Sequence, residues 1–266
     1  MKILGIDVGG TNIDCVIFDG EFTYLGTYPT SDYIKNFEKF INKLLKENNA
    51  DAVGVGVALW IKEGKPVLAP NLPEIPELSD SAIFFENDAN CFAIYSHHIF
   101  NYLNIFAVTV GTGVGGGIII NGELYRGGGL AGEVGHVVVG GEEKCTCGGK
   151  GHLEAYFGGW ALKKKYRRSV RELLSGEKFF YSSEEFRLFC REIANVVTIL
   201  DPEAVVFGGR IGMNIDKKRL KECVYSQLMP YFSPKIEILC DELAVAKGAC
   251  VMAMNQLRQK IKNCNE

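Results

Sequence analysis

The feature that most constrains the fold is a glycine-rich hairpin pattern that occurs twice, 102 residues apart. In the first copy the apolar residues 2–8 end at Gly9-Gly10. In the second copy the apolar residues 106–110 end at Gly111-Thr112-Gly113. Short apolar segments interrupted by glycine turns are typical of β-hairpins. The repeat therefore predicts a duplicated hairpin unit, one in each of two domains, although two similar hairpins could also arise by chance.

The spacing of apolar residues elsewhere predicts alternating helices and strands. Helices are predicted over 33–48, 89–98, 153–170, 183–200, 216–229 and 245–262. Further strands are predicted over 22–28, 52–57, 82–86, 123–125, 204–207 and 235–239. Residues 60–80 hold four of the eight prolines and are predicted to be a loop. The pattern predicts an α/β fold in two domains, one of residues 1–105 plus a C-terminal helix over 247–266, the other of residues 106–246.

The composition limits the partners of the chain. Hydrophobic residues make up 47% and charged residues 23%, which are ordinary values for a globular protein. A net charge of −3 argues against a dedicated nucleic-acid-binding protein. No apolar segment approaches the roughly 20 residues of a membrane span, and the N-terminus is too quickly acidic for a signal peptide. We therefore expect a cytoplasmic protein that binds neither nucleic acid nor membrane.

Two of the glycine turns have the composition of phosphate-binding turns. In Asp7-Val8-Gly9-Gly10-Thr11-Asn12 an acid precedes two glycines, and successive N–H groups of such a turn can bind an anion. Asp7 has the wrong sign to touch a phosphate but can hold Mg²⁺ or its waters. Gly111-Thr112-Gly113-Val114-Gly115-Gly116-Gly117 has five glycines, from which a strand gains nothing. Two such turns favour phosphoryl transfer, although the first could be a plain hairpin turn.

A third motif, Glu86-Asn87-Asp88-Ala89-Asn90, lies where a predicted strand gives way to a helix. Asp or Asn at such a junction is often simply the N-cap of the helix. The functional alternative is a carboxylate at the carboxyl end of a strand, where ligand sites of α/β folds open. Asp88 could there accept the proton of a hydroxyl group that attacks phosphorus.

A fourth motif combines Cys145 and Cys147 with His136, nine residues before, and His152, five residues after. Two thiolates and two imidazoles suit tetrahedral Zn²⁺. The alternative is two free thiols and two unrelated histidines. The nearby acids Glu133 and Glu154 are not needed as ligands and are free to bind something polar.

Two weaker features remain. Lys163-Lys164-Lys165-Tyr166-Arg167-Arg168, with Arg171, is either a solvated helix face or a polyphosphate or nucleic-acid contact. The segment Asp201-Pro202-Glu203-Ala204-Val205-Val206-Phe207-Gly208-Gly209 is a helix–strand–glycine turn that could lie against a base and ribose.

Together these motifs resemble the ROK family of sugar kinases, in the same order and from Gly5 to about Gly212. The additional segments that carry the likeness are Pro70-Asn71-Leu72, Gly132-Glu133-Val134-Gly135-His136 and Cys145-x-Cys147-Gly148-x-x-Gly151-His152-x-Glu154. The resemblance implies a two-domain actin-like, ribonuclease H-like ATPase fold with a cleft between the domains. It implies a cytoplasmic hexokinase or glucokinase type of enzyme that uses ATP and Mg²⁺.

The resemblance also implies roles for individual residues. Asp88 is implied as the general base on the 6-hydroxyl of a hexose. Sugar contacts are implied for Asn71, Asn87, Glu133, His136 and Glu154. Nucleotide contacts are implied for Asp7, Gly9, Gly10, Thr11, Asn12, Gly111, Thr112, Gly113, Gly208 and Gly209. A structural Zn²⁺ is implied at His136, Cys145, Cys147 and His152, with His136 using one ring nitrogen for zinc and the other for the sugar.

The chain departs from the family pattern in two places. His152 stands where the family usually has a third loop cysteine, and imidazole is a competent zinc ligand in its place. Gly54-Val55-Gly56-Val57-Ala58-Leu59 ends in Leu59 where the family usually has a glycine near the sugar. We expect Leu59 to crowd a 2-acetamido group and so to favour glucose or glucosamine over N-acetylated hexosamines, unless its side chain turns into the core.

Three alternative functions stay open. The first is a non-catalytic sugar sensor, which the retained phosphate turns and Asp88 argue against. We also expect no DNA-binding helix-turn-helix, because Asp7 begins the core at once. The second is a polyphosphate-dependent glucokinase, supported locally only by the basic segment. The third is an N-acetylhexosamine kinase. The family commonly forms homodimers or homotetramers, but the sequence shows no interface pattern.

Overall fold

The computed structural model describes residues 1–62, 65–69, 72, 83–174 and 178–264. The chain divides into two compact units. Unit 1 comprises Met1–Phe100, Arg126–Leu130 and Leu243–Glu266, and unit 2 comprises Asn101–Tyr125 and Ala131–Glu242. In the described part of the chain, no helix combines the length and the apolar character needed to cross a membrane.

Strands and helices are numbered along the chain. The strands are β1 (Ile3–Val8), β2 (Asn12–Phe18), β3 (Phe22–Pro29), β4 (Ala52–Val57), β5 (Trp60–Lys62), β6 (Lys65–Leu68), β7 (Ile83–Asn87), β8 (Ile105–Val110), β9 (Val114–Ile120), β10 (Glu123–Tyr125), β11 (Ala204–Gly208) and β12 (Lys235–Ile238). The helices are α1 (Thr30–Tyr33), α2 (Phe37–Asn48), α3 (Asp88–Phe100), α4 (Glu154–Phe157), α5 (Gly159–Tyr166), α6 (Val170–Leu174), α7 (Lys178–Tyr181), α8 (Glu184–Leu200), α9 (Gly209–Gly212), α10 (Lys217–Tyr225) and α11 (Ala244–Cys264).

The two units contain the same five-stranded mixed sheet. In unit 1 the strand order is β3-β2-β1-β4-β7, and in unit 2 it is β10-β9-β8-β11-β12. Each sheet begins with three antiparallel strands and continues with two strands parallel to the first of them in sequence. The predicted duplication of the hairpin unit is therefore confirmed, and the fold is the mixed α/β class that was expected.

The core of unit 1 lies on both faces of its sheet. On one face, α2 contributes a stripe of apolar side chains at helical spacing, Phe37, Phe40, Ile41 and Leu44, as the sequence predicted. On the other face, α11 packs so closely that a Cβ atom on Gly54 of β4 would overlap the Ala249 carbonyl group. Glycine at this position is what allows the helix and the sheet to approach this far.

The core of unit 2 is built around aromatic side chains. Phe157 of α4 stacks on Phe189 of α8 with ring centroids 4.1 Å apart and an interplanar angle of 9°. Phe106 of β8 and Phe207 of β11 add further fully buried rings from the sheet. Aromatic rings bury large apolar areas, so α4 and α8 are held firmly against this sheet.

Two predicted elements differ from the observed ones. The predicted loop over 60–80 contains the hairpin of β5 and β6, in which Pro66 pairs with Ile61. The prolines were interpreted as excluding strands, but a two-stranded ribbon consists of edge strands, where proline is tolerated. The rest of that segment apart from Ala69 and Leu72 lies outside the described residues, as does residue 82 of the strand predicted over 82–86.

The single helix predicted over 153–170 is three helices, α4, α5 and the start of α6. Gly158 has extended backbone angles and ends α4, and Arg167 has a left-handed conformation (φ 52°) that ends α5. The helix predicted over 33–48 likewise starts earlier, with α1 and a 3₁₀ turn (Ile34–Asn36) before α2. Apolar periodicity does not report such local breaks, because the buried face continues across them.

The close packing of α11 on β4 predicts the effect of adding one methyl group. Gly54→Ala should lower the free energy of unfolding by about 3 kcal/mol or more, the upper end of overpacking costs, since the clash is with backbone. Gly128→Ala is the control, because a Cβ there meets no atom within 4 Å. Urea unfolding of both variants tests this expectation, and equal stabilities would contradict the packing described for α11.

Candidate functional site

The first glycine turn, residues 9–12, has its carbonyl oxygens fixed by one buried residue of unit 1. Thr30, which is fully buried at the start of α1, donates its hydroxyl to the Gly9 oxygen at 2.7 Å and its N–H to the Thr11 oxygen at 2.9 Å. The turn itself is closed by the Gly9 N–H bonding to the Asn12 oxygen at 2.9 Å. Carbonyl oxygens repel anions, so their capture by Thr30 leaves the turn better suited to a phosphate.

The same edge of the unit 1 sheet carries the Asn87–Asp88 segment. Strands β1, β4 and β7 are parallel, and their register places Asp7 level with Gly56 and Glu86. The next level contains Val8, Val57 and Asn87. The first glycine turn and the start of α3 therefore both follow the carboxyl ends of parallel strands, which is where ligands bind in α/β sheets.

Asn87 is the residue that caps α3. Its side-chain oxygen accepts hydrogen bonds from the N–H groups of Ala89 (2.9 Å) and Asn90 (3.2 Å), and its Nδ2 donates to the Leu59 oxygen at 3.0 Å. The capping alternative considered for this junction is thus correct for Asn87. Because Asn87 caps the helix, capping does not explain the presence of Asp88 as the first residue of the helix.

Asp88 is partly buried, and its Oδ1 accepts the Ala89 N–H at 2.9 Å. Burial raises the pKa of Asp88 above its ordinary value, and the hydrogen bonds from backbone N–H groups offset part of that rise. A carboxylate with a raised pKa is a stronger base than an ordinary one, which suits a group that accepts a proton from an alcohol.

An ion pair between a buried glutamate and a half-exposed arginine, not predicted from the sequence, lies two residues before Asp88 in the chain. Glu86 Oε2 accepts the Nε–H of Arg126 at 2.6 Å, while Glu86 Oε1 accepts from the Asn87 N–H and from Asn90 Nδ2, each at 3.0 Å. The Glu86 side chain is only 6% exposed. The pair escaped sequence analysis because its partners are 40 residues apart and Arg126 precedes three glycines that resemble loop.

Leu59 does not act as expected. Its side chain is 2% exposed and belongs to the apolar core of unit 1. Its backbone carbonyl, not its side chain, meets Asn87. The expectation that the isobutyl group limits the sugar is therefore wrong, and the alternative, that the side chain turns into the core, is correct. Burial of a leucine stabilises the fold by about 1.5–3 kcal/mol, which explains the preference for the core.

The second glycine turn, residues 111–113, is anchored in unit 2 by the start of α5. The N–H groups of Gly159 and Trp160 bond to the oxygens of Gly111 (3.0 Å) and Thr112 (3.2 Å). The turn is closed by the Gly111 N–H bonding to the Gly113 oxygen at 3.0 Å. Carbonyl capture by a helix start therefore occurs at both glycine turns, with different residues.

Glu154 adjoins the second glycine turn and is 5% exposed. Its Oε2 accepts the Val114 N–H at 3.1 Å, and its Oε1 accepts the Thr146 hydroxyl at 2.7 Å. A third donor, Trp160 Nε1, lies 3.5 Å from Oε1. Glu154 was singled out as a sugar contact, but the bonds to Val114 and Thr146 were not foreseen.

The predicted metal ligands come together. The side chains of His136, Cys145, Cys147 and His152 each offer one ligand atom, and these four atoms lie within 4.8 Å of one another. Cys145 Sγ is 3.5 Å from His136 Nδ1, and Cys147 Sγ is 3.1 Å from His152 Nδ1. Gly148 has a φ of 90°, which allows the chain to turn tightly after the thiols.

The surroundings of this cluster are compatible with a metal. Burial lowers the pKa of His136, so its imidazole is neutral, the form that coordinates a cation. Burial raises the pKa of the Cys145 thiol, so a cation is needed to keep it as a thiolate at neutral pH. On the far side of the His136 ring, Nε2 lies 3.9 Å from Glu133 Oε2.

The remaining predicted residues are less closely grouped. Gly208 pairs in register with Thr109 of the neighbouring parallel strand, so the turn at Gly208-Gly209 follows the same edge of the unit 2 sheet as the second glycine turn. Asn71 and Pro70 lie outside the described residues. In the basic segment, Lys164 pairs with Glu143 at 3.3 Å and Lys165 with the buried Glu185.

Comparison with known proteins agrees with this arrangement of motifs. The family model described as "ROK family" matches residues 3–255. The chain belongs to the ROK family. A glucokinase of Thermotoga maritima is 28% identical, with 93% of this chain and 95% of the relative covered. An N-acetylmannosamine kinase of Vibrio cholerae is 30% identical over 80% of this chain and 85% of the relative.

Further relatives extend the range of sugars and include solved structures. An N-acetyl-D-glucosamine kinase of Pasteurella multocida is 28% identical over 77% of this chain and 83% of the relative. The crystal structure of the ROK hexokinase of Thermus thermophilus has a TM-score of 0.80 at 27% identity, covering 97% of this chain and all of the other. This ROK-family chain therefore has the fold of solved sugar kinases.

The burial of Leu59 yields a prediction that reverses the expectation drawn from the sequence. Leu59→Ala should lower the free energy of unfolding by about 2–5 kcal/mol, because it leaves a cavity in the core. It should not change the ratio of kcat/KM for glucose to that for N-acetylglucosamine. Leu103→Ala, whose parent side chain is 53% exposed, is the control for stability. A variant with unchanged stability but a changed ratio of kcat/KM between the two sugars would instead place the Leu59 side chain in the sugar site.

Proposed function

We propose that this sugar phosphotransferase of the ROK family transfers the γ-phosphoryl group of ATP to the 6-hydroxyl of a hexose, with Asp88 as the general base. The observation that carries the proposal is the position of Asp88. It begins α3 at the edge of the sheet where the first glycine turn also lies, and burial raises its pKa. The names of the three curated relatives described above, each a kinase of a hexose or of an N-acetylated hexosamine, support the reaction class.

The chemistry proposed for Asp88 is a proton transfer. As the hydroxyl oxygen of the sugar forms its bond to the γ-phosphorus, its proton moves to the Asp88 carboxylate and ADP leaves with the electrons of the broken P–O bond. Asn87 positions this carboxylate by capping α3. Mg²⁺, proposed to be held near Asp7, would supply charge neutralisation to the phosphates.

For the nucleotide, we propose the glycine turns of both units. Residues 9–12 and 111–113 would present N–H groups to the phosphates, and their captured carbonyl oxygens support this use. Gly208 and Gly209 would lie against the adenosine, which their place at the same sheet edge as the second turn supports.

For the sugar, we propose Asn71, Asn87, Glu133, His136 and Glu154. The side-chain oxygen of Asn87 caps the helix, and one Nδ2–H donates to the Leu59 oxygen. The second Nδ2–H is the donor that Asn87 would offer to the sugar. The Nε2 edge of His136, together with Glu133, would accept and donate hydrogen bonds to sugar hydroxyls. Glu154 Oε2, which accepts the Val114 N–H, has a second lone pair that could accept a sugar hydroxyl.

We propose that the Cys–His cluster holds a structural Zn²⁺. Two thiols and two imidazoles within 4.8 Å are the donor set that tetrahedral Zn²⁺ prefers. His152 would serve in place of the cysteine usual in the family. When bound, the ion would orient the His136 ring by holding Nδ1, which lies on the thiol side, so that Nε2 points toward Glu133.

A second candidate function, an N-acetylhexosamine kinase, is favoured by one observation. With the Leu59 side chain in the core, the steric argument against a 2-acetamido group no longer applies. Relatives named for N-acetylglucosamine and N-acetylmannosamine match this chain at 28% and 30% identity. A comparison of kcat/KM across glucose, mannose, glucosamine and the N-acetylated sugars distinguishes the two functions.

Polyphosphate as the donor has weaker support. The charges of Lys164 and Lys165 are paired with carboxylates, and the Glu185 partner is buried. A pair of this kind is already neutralised and attracts a polyanion less than free lysines would. We propose ATP as the donor, and turnover measured with ATP and with polyphosphate tests the choice. Assembly into a homodimer or homotetramer stays a prediction, which light scattering of the purified protein would test.

The general-base assignment predicts a specific loss. Asp88→Asn keeps the size of the side chain but removes the proton acceptor, so kcat should fall by roughly 10²–10⁴ while sugar binding persists. In the wild type, kcat/KM should fall as the pH decreases through the pKa of Asp88, at a pH above the ordinary value of 3.8. Steady-state kinetics over a pH series measures both. A near-normal kcat for the variant would refute the role.

The metal assignment predicts one Zn²⁺ per chain. Cys147→Ser should abolish zinc binding, because a serine hydroxyl is a poor replacement for a thiolate ligand. Cys240→Ser, at an exposed cysteine in the same unit, should leave the zinc content unchanged. Elemental analysis after purification in metal-free buffer decides the matter. A wild-type stoichiometry near zero with full activity would show that the thiols are free and bind no metal.

A further inference from the structure

The Glu154 carboxylate connects the second glycine turn to the Cys–His loop. Oε2 bonds to the N–H of Val114, the residue directly after the turn, and Oε1 bonds to the hydroxyl of Thr146, between the two thiols. The carboxylate is therefore a bridge with one oxygen on each segment. Val114 and Thr146 belong to segments that are more than 30 residues apart.

The turn is shaped to admit this carboxylate. A Cβ atom on Gly113 would overlap Glu154 Oε2. A Cβ on Gly158, at the end of α4, would lie 3.0 Å from the Glu154 Cγ and 3.2 Å from the Thr112 oxygen. Gly113 and Gly158 therefore leave the space through which the Glu154 side chain reaches the turn. A larger residue at either position would fill that space.

The hydrogen bond from the Thr146 hydroxyl is the shortest of those that the Glu154 carboxylate accepts. At 2.7 Å it has the length of a charge-assisted hydrogen bond, whereas the Trp160 Nε1 donor is at 3.5 Å and Cys145 Sγ at 4.0 Å. The carboxylate is almost completely buried, so losing one strong donor carries a large penalty. Its orientation toward Val114 therefore depends on Thr146.

We propose that Thr146, acting through Glu154, is a positioning residue for the nucleotide: it holds the second glycine turn in the conformation that receives the phosphates. This inference rests on the proposed function of that turn. Thr146 does not touch the nucleotide or the sugar in this account. Its hydroxyl fixes Oε1, the fixed carboxylate holds the Val114 N–H through Oε2, and Val114 sets the end of the turn.

The test compares Thr146→Val, which keeps the shape but removes the hydroxyl, with Thr146→Ser, which keeps the hydroxyl. The matched control is Thr198→Val on α8, where the threonine hydroxyl bonds only within its own helix, to the Ala194 oxygen at 2.8 Å. Three quantities are measured on the full-length protein: amide hydrogen exchange of the peptide containing Val114, steady-state kinetics with ATP and hexose, and bound zinc.

We expect the valine variant to exchange the Val114 amide faster and to raise the KM for ATP by about three- to tenfold, the value of one hydrogen bond. Because Glu154 is also proposed as a sugar contact, the KM for the sugar should rise as well, whereas kcat and the zinc content should change much less. Serine should restore all three affected quantities, and Thr198→Val should alter none of them. A rise in both KM values at nearly unchanged kcat and zinc content, with rescue by serine, is what a general loss of stability would not produce.

Contrary outcomes are equally specific. Unchanged exchange at Val114 and an unchanged KM for ATP in the valine variant would refute the proposal, as would a serine variant as impaired as valine. Loss of zinc from the valine variant would also refute it, because the effect would then run through folding of the loop. A wild-type protein that binds no nucleotide would refute the proposed function instead, and the exchange measurement would still report whether Thr146 holds the turn.

Discussion

A carboxylate buried in a protein must have its oxygens hydrogen-bonded, and this constraint organises both candidate sites. Glu86 in unit 1 and Glu154 in unit 2 are each about 95% buried. The oxygens of each carboxylate accept hydrogen bonds from segments that matter for the proposed chemistry. Those of Glu86 accept from the Asn87 N–H and from Arg126, and those of Glu154 accept from Val114 and Thr146. Removing one partner would leave a charge unsatisfied at high cost. These contacts therefore hold the start of α3 and the second glycine turn in place.

The two units use different residues to bind the carbonyl oxygens of their glycine turns. Both contain the same mixed sheet, and in both a glycine turn joins the first two strands of the hairpin. In unit 1 a single buried threonine, Thr30, captures the carbonyl oxygens of the turn. In unit 2 two N–H groups at the start of α5 do so, and Glu154 adds a bond to the next residue. The duplicated strands are alike, but the anchors come from segments outside the repeat.

Much of the fold followed from local pattern, and the failures have local causes. The repeated hairpins and the apolar face of α2 were predictable, because they depend on residue spacing within one segment. The break at Gly158 was not, since it does not interrupt the apolar pattern, and the hairpin of β5 and β6 was not, since its prolines were interpreted as excluding strands. Leu59 was misjudged for another reason: the family usually has a glycine near the sugar at its position, while the burial of Leu59 depends on a core assembled from distant strands.

The sequence by itself determined the family, the glycine turns, Asp88 as a candidate base and the four side chains proposed to bind a metal, because each is a residue type in a short motif. Only the tertiary structure decided what holds these motifs. Arg126 reaches Glu86 across 40 residues, Thr30 reaches back to Gly9, and Thr146 reaches Glu154 beside Val114. Such contacts have no periodicity and no fixed spacing in sequence. They arise when buried polar groups must find partners, and packing alone determines which partners lie within reach.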